Sequence, residues 1–115
     1  MKDWAFRKTI FSRQGDTKKA RPWNEAEYIT AEFLREMRRK QVNSCCYCLT
    51  PMQTFNMRAM DGLTVQRLDN SLAHIRTNCV LCCYKCNVSR MEYRSPEYHT
   101  LLKNLHKRKI KWKEF

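Results

Sequence analysis

Seven cysteines lie in two short clusters near the middle of the chain, and their spacing is typical of a metal site. In the first cluster, the two-residue gap between Cys45 and Cys48 lets both thiolates face one ion from a tight turn. The second cluster offers two pairs with the same gap, Cys79 with Cys82 and Cys83 with Cys86. An odd number of cysteines without a secretion signal argues against a disulfide framework. Four thiolates instead indicate a tetrahedral structural Zn²⁺ site.

The second pair of ligands is open from spacing alone, and we favour Cys83 and Cys86. Residues 79–82 are predicted to form a buried strand, in which residues three apart point to opposite faces. A turn that leads into a helix brings Cys83 and Cys86 to one side. The predicted zinc ligands are therefore Cys45, Cys48, Cys83 and Cys86. The other three cysteines are expected to be small buried apolar residues, Cys46, Cys79 and Cys82.

The chain has 115 residues, enough for one small domain, and a net charge of +12. Residues 1–44 and 89–115 each carry +5, whereas residues 45–88 carry +2. Such a balance favours a polyanionic partner, either nucleic acid or an acidic membrane surface. No apolar run is long enough to cross a bilayer, and charges interrupt the first residues where a signal peptide would be apolar. We therefore expect an intracellular protein with no membrane partner.

The elements around the cysteines are predicted from local patterns. Residues 1–21 form a basic N-terminal arm with a turn at Gly15-Asp16, or alternatively a docked strand that uses its apolar residues. Asn24 and Glu27 make a capping box for a helix over Glu25–Gln41, with Trp23 and Tyr28 as a hydrophobic staple.

The second half of the chain is predicted to contain two strands and two helices. The strands cover 63–68 and 79–82, with a loop over 69–78, and a helix begins near Tyr84 and ends before Ser95. Ser95-Pro96 begins a last helix that leads into a basic tail. The prediction is an α+β fold: a zinc-stapled unit over 22–95 with a helix N-terminal to it, followed by a basic C-terminal helix and tail over 96–115.

This order of elements resembles the HNH endonucleases of the ββα-metal superfamily, in particular their zinc-stapled branch. The resemblance covers about residues 24–95, and its most specific part is the pair of C-x-x-C knuckles with Asn78 before the second and Asn87 after it. It implies that zinc is structural, and that a separate Mg²⁺ or Mn²⁺ ion acts on the scissile phosphate.

The resemblance also implies roles for single residues. Asn78 matches the asparagine that ties the loop, and Asn87 matches the metal ligand on the helix. Gln66 and Arg67 stand where an acidic ligand and a histidine base are expected, and an arginine keeps its proton at any accessible pH. Asp69 and His74 are then the candidates for the missing carboxylate and base, with Arg67 gripping the phosphate. The alternatives are a turn-forming Asp69 paired with Arg67 and a His74 with no catalytic task.

Two functions compete on this basis, and the oligomeric state stays open. The first is a metal-dependent endonuclease or nickase, with DNA favoured over RNA. The second is a zinc-dependent nucleic-acid-binding module that no longer cuts. A protein-interaction module explains the charge less well. For both the endonuclease and the binding module, we expect binding to phosphates to fall steeply with salt. The predicted contacts are Arg67, Arg76, Lys85, Arg90 and Arg94.

Overall fold

The computed structural model of the protein describes residues 3–89, which contain three α-helices and a two-stranded antiparallel sheet. The α+β class predicted from the sequence agrees with this architecture. The predicted C-terminal helix and basic tail lie outside the described residues. In chain order the elements are α1 (Trp4–Lys18), a 3-10 turn (Glu25–Glu27), α2 (Ala31–Lys40), β1 (Leu63–Arg67), a second 3-10 turn (Arg76–Asn78), β2 (Cys79–Cys83) and α3 (Tyr84–Ser89).

The sheet pairs Leu63 with Cys83 at one end and Arg67 with Cys79 at the other. All five residues of β2 are buried, which explains why this strand is apolar throughout rather than alternating. Leu34 and Met37 of α2 belong to the same core. Strand β1 is one residue shorter than predicted, and β2 runs one residue further, to Cys83.

A buried glutamine side chain hydrogen-bonds to backbone groups of β2, as a neighbouring strand would. The Gln41 side chain is fully buried, and its amide accepts a hydrogen bond from Leu81 N (3.0 Å) and donates one to Leu81 O (2.8 Å). It also donates to Ser44 O. These bonds pair backbone groups of β2 that a two-stranded sheet leaves open, and unpaired buried backbone groups are costly.

The N-terminal segment is a helix, so the prediction of a loose arm or a docked strand is wrong. Asp3 caps α1 by accepting a hydrogen bond from Phe6 N, and the helix packs against α2. Gly15-Asp16 lies inside the last part of this helix rather than in a turn. Apolar periodicity does not predict this helix, because its buried face consists of small and polar residues, namely Ala5, Thr9, Ser12 and Asp16.

The helix predicted over Glu25–Gln41 is interrupted. Asn24 does cap a first turn by accepting from Ala26 N, but that turn ends at Glu27. Tyr28 then forms an isolated β-bridge with Ile75, and α2 begins only after Thr30, which caps it through Phe33 N. The long-range bridge thus overrides the local helical pattern. The predicted contact between Trp23 and Tyr28 is present, with ring centroids 4.9 Å apart.

The loop that precedes β1 reaches the start of α3. Tyr84 N donates to Gly62 O (2.8 Å) and Lys85 N donates to Met60 O (3.1 Å), so two amides of the first helical turn find partners outside the helix. None of the helices within residues 3–89 is long and apolar enough to cross a bilayer.

Substitution of alanine for each of the two glycines is expected to change stability in opposite directions. A Cβ at Gly62 would lie 2.5 Å from the backbone of Met57, so Gly62→Ala is expected to destabilise the protein by about 1–3 kcal/mol. A Cβ at Gly15 meets only the end of Arg21 at 3.9 Å, so Gly15→Ala should stabilise α1 by about 0.5–1 kcal/mol. Thermal denaturation followed by circular dichroism measures both, and a destabilised Gly15→Ala variant would contradict this account of α1.

Candidate functional site

Four cysteines converge on one point between the first knuckle and the start of α3. The sulfur atoms of Cys45, Cys48, Cys83 and Cys86 all lie within 4.8 Å of one another, and no other cluster of potential histidine, cysteine or carboxylate ligands occurs in residues 3–89. These are the four ligands predicted from the sequence. Cys79 and Cys82 are not part of this cluster: both are buried in β2, and the Cys82 sulfur lies 3.4 Å from the Thr64 hydroxyl.

The geometry of the four sulfurs fits a tetrahedral metal ion. With Zn–S bonds of about 2.3 Å, a tetrahedron places sulfur atoms about 3.8 Å apart. The sulfurs of Cys48 and Cys83 are 3.7 Å apart. The knuckle also contributes an amide to the cluster, since Tyr47 N lies 3.4 Å from the Cys45 sulfur. The four-cysteine cluster is therefore compatible with zinc.

The protonation of these thiols shows why a cation suits the cluster. Burial and neighbouring sulfurs raise the pKa of Cys83 to about 11 and also raise that of Cys86. Burial opposes ionisation of Cys48 as well, but hydrogen bonds from Thr50, Cys86 and Cys45 bring its pKa down to about 7. A bound divalent cation would remove this conflict, because it stabilises all four thiolates together.

A second polar centre surrounds the carboxylate of Asp16, which is fully buried. Its Oδ2 accepts hydrogen bonds from the Tyr28 hydroxyl (2.7 Å), the His74 backbone amide (3.0 Å) and His74 Nδ1 (2.9 Å). Its Oδ1 accepts from Arg21 Nε at 2.7 Å. One side chain of α1 therefore fixes the loop between the strands and the segment that precedes α2.

The charges in this network are well defined. Burial alone would raise the pKa of Asp16, but the hydrogen bonds from His74, Arg21 and Tyr28 hold it well below its usual range. Burial lowers the pKa of His74 below 6.5, and this outweighs the opposing effect of Asp16. At neutral pH, His74 is therefore neutral, donates from Nδ1 to Asp16 and leaves Nε2 as an acceptor.

His74 and Asn87 line the same cleft, which has a volume of about 650 Å³. The cleft lies between α1, the loop before β1, β1 itself and α3, and within residues 3–89 none of its lining residues is acidic. Lys8, half-buried, makes no ion pair within the described part of the chain, and burial lowers its pKa. The lining residues are Lys8, Phe11, Ser12, Phe55, Asn56, Met57, Arg58, Thr64, Val65, His74, Tyr84, Asn87 and Val88.

The side chain of Asn87 is oriented by β1. Its Nδ2 donates to the Thr64 hydroxyl at 3.0 Å, and that hydroxyl in turn donates to Cys82 O at 2.8 Å. This bond orients the amide through its nitrogen, so the carbonyl oxygen Oδ1 is the atom of Asn87 that could bind a cation.

The other predicted catalytic residues shape the loop over 69–78. Asn78 holds it closed, since its amide bonds Asp69 N (2.8 Å), Asp69 O (3.0 Å) and Ala73 O (3.1 Å). Arg67 Nη1 donates to Asn70 O and Leu72 O. The Asp69 carboxylate accepts from the amide and hydroxyl of Ser71 and is not part of the cleft lining. The structure thus brings His74 and Asn87 to one cleft, but not Asp69 and Asn87.

The predicted nucleic-acid contacts are differently placed. Arg76 donates to Tyr28 O (3.2 Å) and Ala26 O (2.5 Å), so it holds the segment before α2. Lys85 is exposed on α3. Arg90 and Arg94 lie outside the described residues.

Among the residues of this site that the sequence did not predict, Asp16 and Lys8 belong to α1, a helix that its apolar pattern does not indicate. The available signal was the spacing of Ala5, Thr9, Ser12 and Asp16, which recur every three or four residues as one face of a helix. A search for apolar periodicity overlooks such a face.

No protein-family model, curated protein or solved structure matches the chain. The features that bear on its function are therefore the cysteine cluster, the Asp16 network and the cleft.

The ligand assignment predicts a contrast between two neighbouring cysteines. Cys83→Ser should lose bound zinc and much of the folded circular dichroism, because the binding free energy of such a site is also folding free energy. Cys79→Ser is the matched control: it should keep one zinc per chain and lose only packing. Metal analysis by mass spectrometry distinguishes the two, and zinc retained by Cys83→Ser would refute the assignment.

The Asp16 network predicts a large effect from a small change. Asp16→Asn removes the charge that pairs with Arg21 and should destabilise the protein by about 3 kcal/mol at pH 7, because breaking a buried pair leaves the partner uncompensated. In the control Asp69→Asn, the amide oxygen can still accept from Ser71, so the change in stability should be small. Urea unfolding of the zinc-loaded variants measures both, and equal midpoints would contradict the role of Asp16.

Proposed function

We propose that the protein is a metal-dependent endonuclease of the HNH type that hydrolyses DNA phosphodiester bonds. The observation that supports it best is that an aspartate-oriented histidine, His74, and an asparagine on the helix after the hairpin, Asn87, line one cleft. Hydrolysis of a phosphodiester requires a base for water and positive charge at the phosphate. The cleft offers a candidate for each.

His74 is the proposed general base. Asp16 accepts the hydrogen bond of Nδ1, so the imidazole is held in one orientation with Nε2 unprotonated. A neutral imidazole can take a proton from water, and burial lowers the pKa of His74, which favours this neutral form. The Asp16 carboxylate stabilises the imidazolium that forms. Arg67, which keeps its own proton, is not needed as a base.

Positive charge at the phosphate has two proposed sources. Lys8 and Arg58 line the cleft and are suited to phosphate oxygens. Asn87 Oδ1 is the proposed protein ligand for Mg²⁺ or Mn²⁺, ions that prefer oxygen ligands. When bound, that ion would neutralise charge on the phosphoryl and leaving oxygens. A role for Asp69 as a further ligand of this ion stays a prediction from the sequence, since its carboxylate does not line the cleft.

A second function is favoured by one specific observation. The cleft contains no carboxylate within residues 3–89, and Gln66 and Arg67 occupy the positions where the resemblance implies an acidic ligand and a base. A protein without a firmly held metal ion would bind nucleic acid in this cleft without cutting it. The zinc cluster and the basic side chains serve both functions equally.

Nicking of supercoiled plasmid with Mg²⁺ or Mn²⁺ tests the proposal. Wild type should nick the plasmid, and His74→Ala should lower the rate at least about a hundredfold, as is typical for loss of a general base. Asn87→Ala should also abolish metal-dependent cutting, whereas Asn70→Ala, an asparagine outside the cleft, should retain it.

Folding and binding controls separate the possible outcomes. Each variant is compared at equal zinc content and circular dichroism, and His74→Asn serves as a second variant that retains a polar side chain. Full nicking by both His74 variants would remove this residue as the base. Wild type that binds DNA but fails to cut with either metal would favour the binding module.

A further inference from the structure

The most exposed large apolar side chain of the described residues is Phe55, 90% accessible, and it lies on the lining of the cleft. Phe11 of α1 lines the same cleft and is 62% accessible. Exposed aromatic side chains are expensive to keep in water, and a concentration of them in a concave site indicates a ligand with a flat apolar face.

The loop that carries Phe55 is braced. The Gln53 side chain accepts from Asn56 N (2.8 Å) and donates to Asn56 O (2.5 Å) and to the Asp61 carboxylate (3.0 Å). The Asn56 side-chain oxygen Oδ1 accepts from Arg58 N at 3.2 Å. Three of these bonds involve Asn56, directly after Phe55. Before it, the backbone of Gln53 is held by bonds from Gln53 N to Asp61 O (3.1 Å) and from Leu63 N to Gln53 O (2.9 Å). The ring is therefore presented to solvent by a preorganised loop.

The charges around these rings identify the partner. Lys8 and Arg58 line the cleft beside Phe11 and Phe55, Lys8 lacks a counter-ion within residues 3–89, and no lining residue is acidic. Aromatic faces combined with cations match the two parts of a nucleotide, because the base stacks and the phosphate pairs with the cation. An acidic peptide would match the cations but leave the rings without a flat partner.

From this juxtaposition we propose that the cleft takes an unpaired nucleotide, with its base stacked on Phe55 and its phosphate near Lys8. A base inside a duplex is covered on both faces by its neighbours, so an undistorted duplex offers Phe55 a free base face only at its ends, whereas an unpaired base offers one at any position. The inference rests on the proposed function for its substrate and names the class of that substrate: single-stranded or locally unpaired nucleic acid.

Binding of three probes of equal length tests the inference. The zinc-loaded full chain, without added Mg²⁺ or Mn²⁺, is titrated by fluorescence anisotropy at one salt concentration with oligothymidylate, with a strand of the same phosphates carrying abasic sites, and with a blunt duplex. Phe55→Ala should weaken binding to oligothymidylate about tenfold, the size expected for one stacked base, and change the other two affinities less than twofold. Phe55→Trp should restore stacking.

Met60→Ala is the matched control, since Met60 is also exposed in this loop but does not line the cleft. It should leave all three affinities unchanged. The inference is overturned if wild type does not bind oligothymidylate, if Phe55→Ala binds it like wild type, or if all three probes lose affinity equally. Plasmid nicking is measured separately. Binding that depends on the bases, without cutting, refutes only the proposed nuclease function. Cutting by a protein whose affinity for oligothymidylate is unchanged in Phe55→Ala refutes only the stacking site.

Discussion

The convergence of four sulfur atoms within 4.8 Å is the constraint on which the centre of the fold depends. It joins the knuckle after α2 to the junction of β2 and α3, two segments far apart in the chain. In the part of the chain that the structure describes, the sheet has two strands, and such a sheet is marginal by itself in water. Since thiols at this spacing resist ionising together, the cluster becomes a strong tie only when a cation holds it.

A buried carboxylate makes a second tie, between α1 and the rest of the domain. Asp16 joins α1 to the loop between the strands through His74 and to the segment before α2 through Tyr28. Helix α1 therefore depends more on polar contacts than on an apolar stripe, and Phe11 stays exposed. The tie also gives α1 a role at the cleft, because the same helix supplies Lys8 and fixes the histidine ring.

What could be predicted from the sequence was local. The gap between Cys83 and Cys86, compared with the alternation expected of Cys79 and Cys82, was enough to choose the second ligand pair, and the apolar run of β2 was recognisable. The break before α2 could not be predicted, because it depends on the bridge between Tyr28 and Ile75, residues distant in the chain. The buried face of α1 consists of small and polar residues, so apolar periodicity does not indicate it.

Arg67, at the end of β1, acts on the cleft through the loop over 69–78. Its guanidinium donates to Asn70 O and Leu72 O and so shapes that loop. That loop presents His74 to Asp16, and Asn78 holds it closed. In the proposed mechanism, Arg67 thus positions the base without acting as one. The position of His74 then depends on α1, so the N-terminal helix is as much a part of the proposed site as the hairpin and α3.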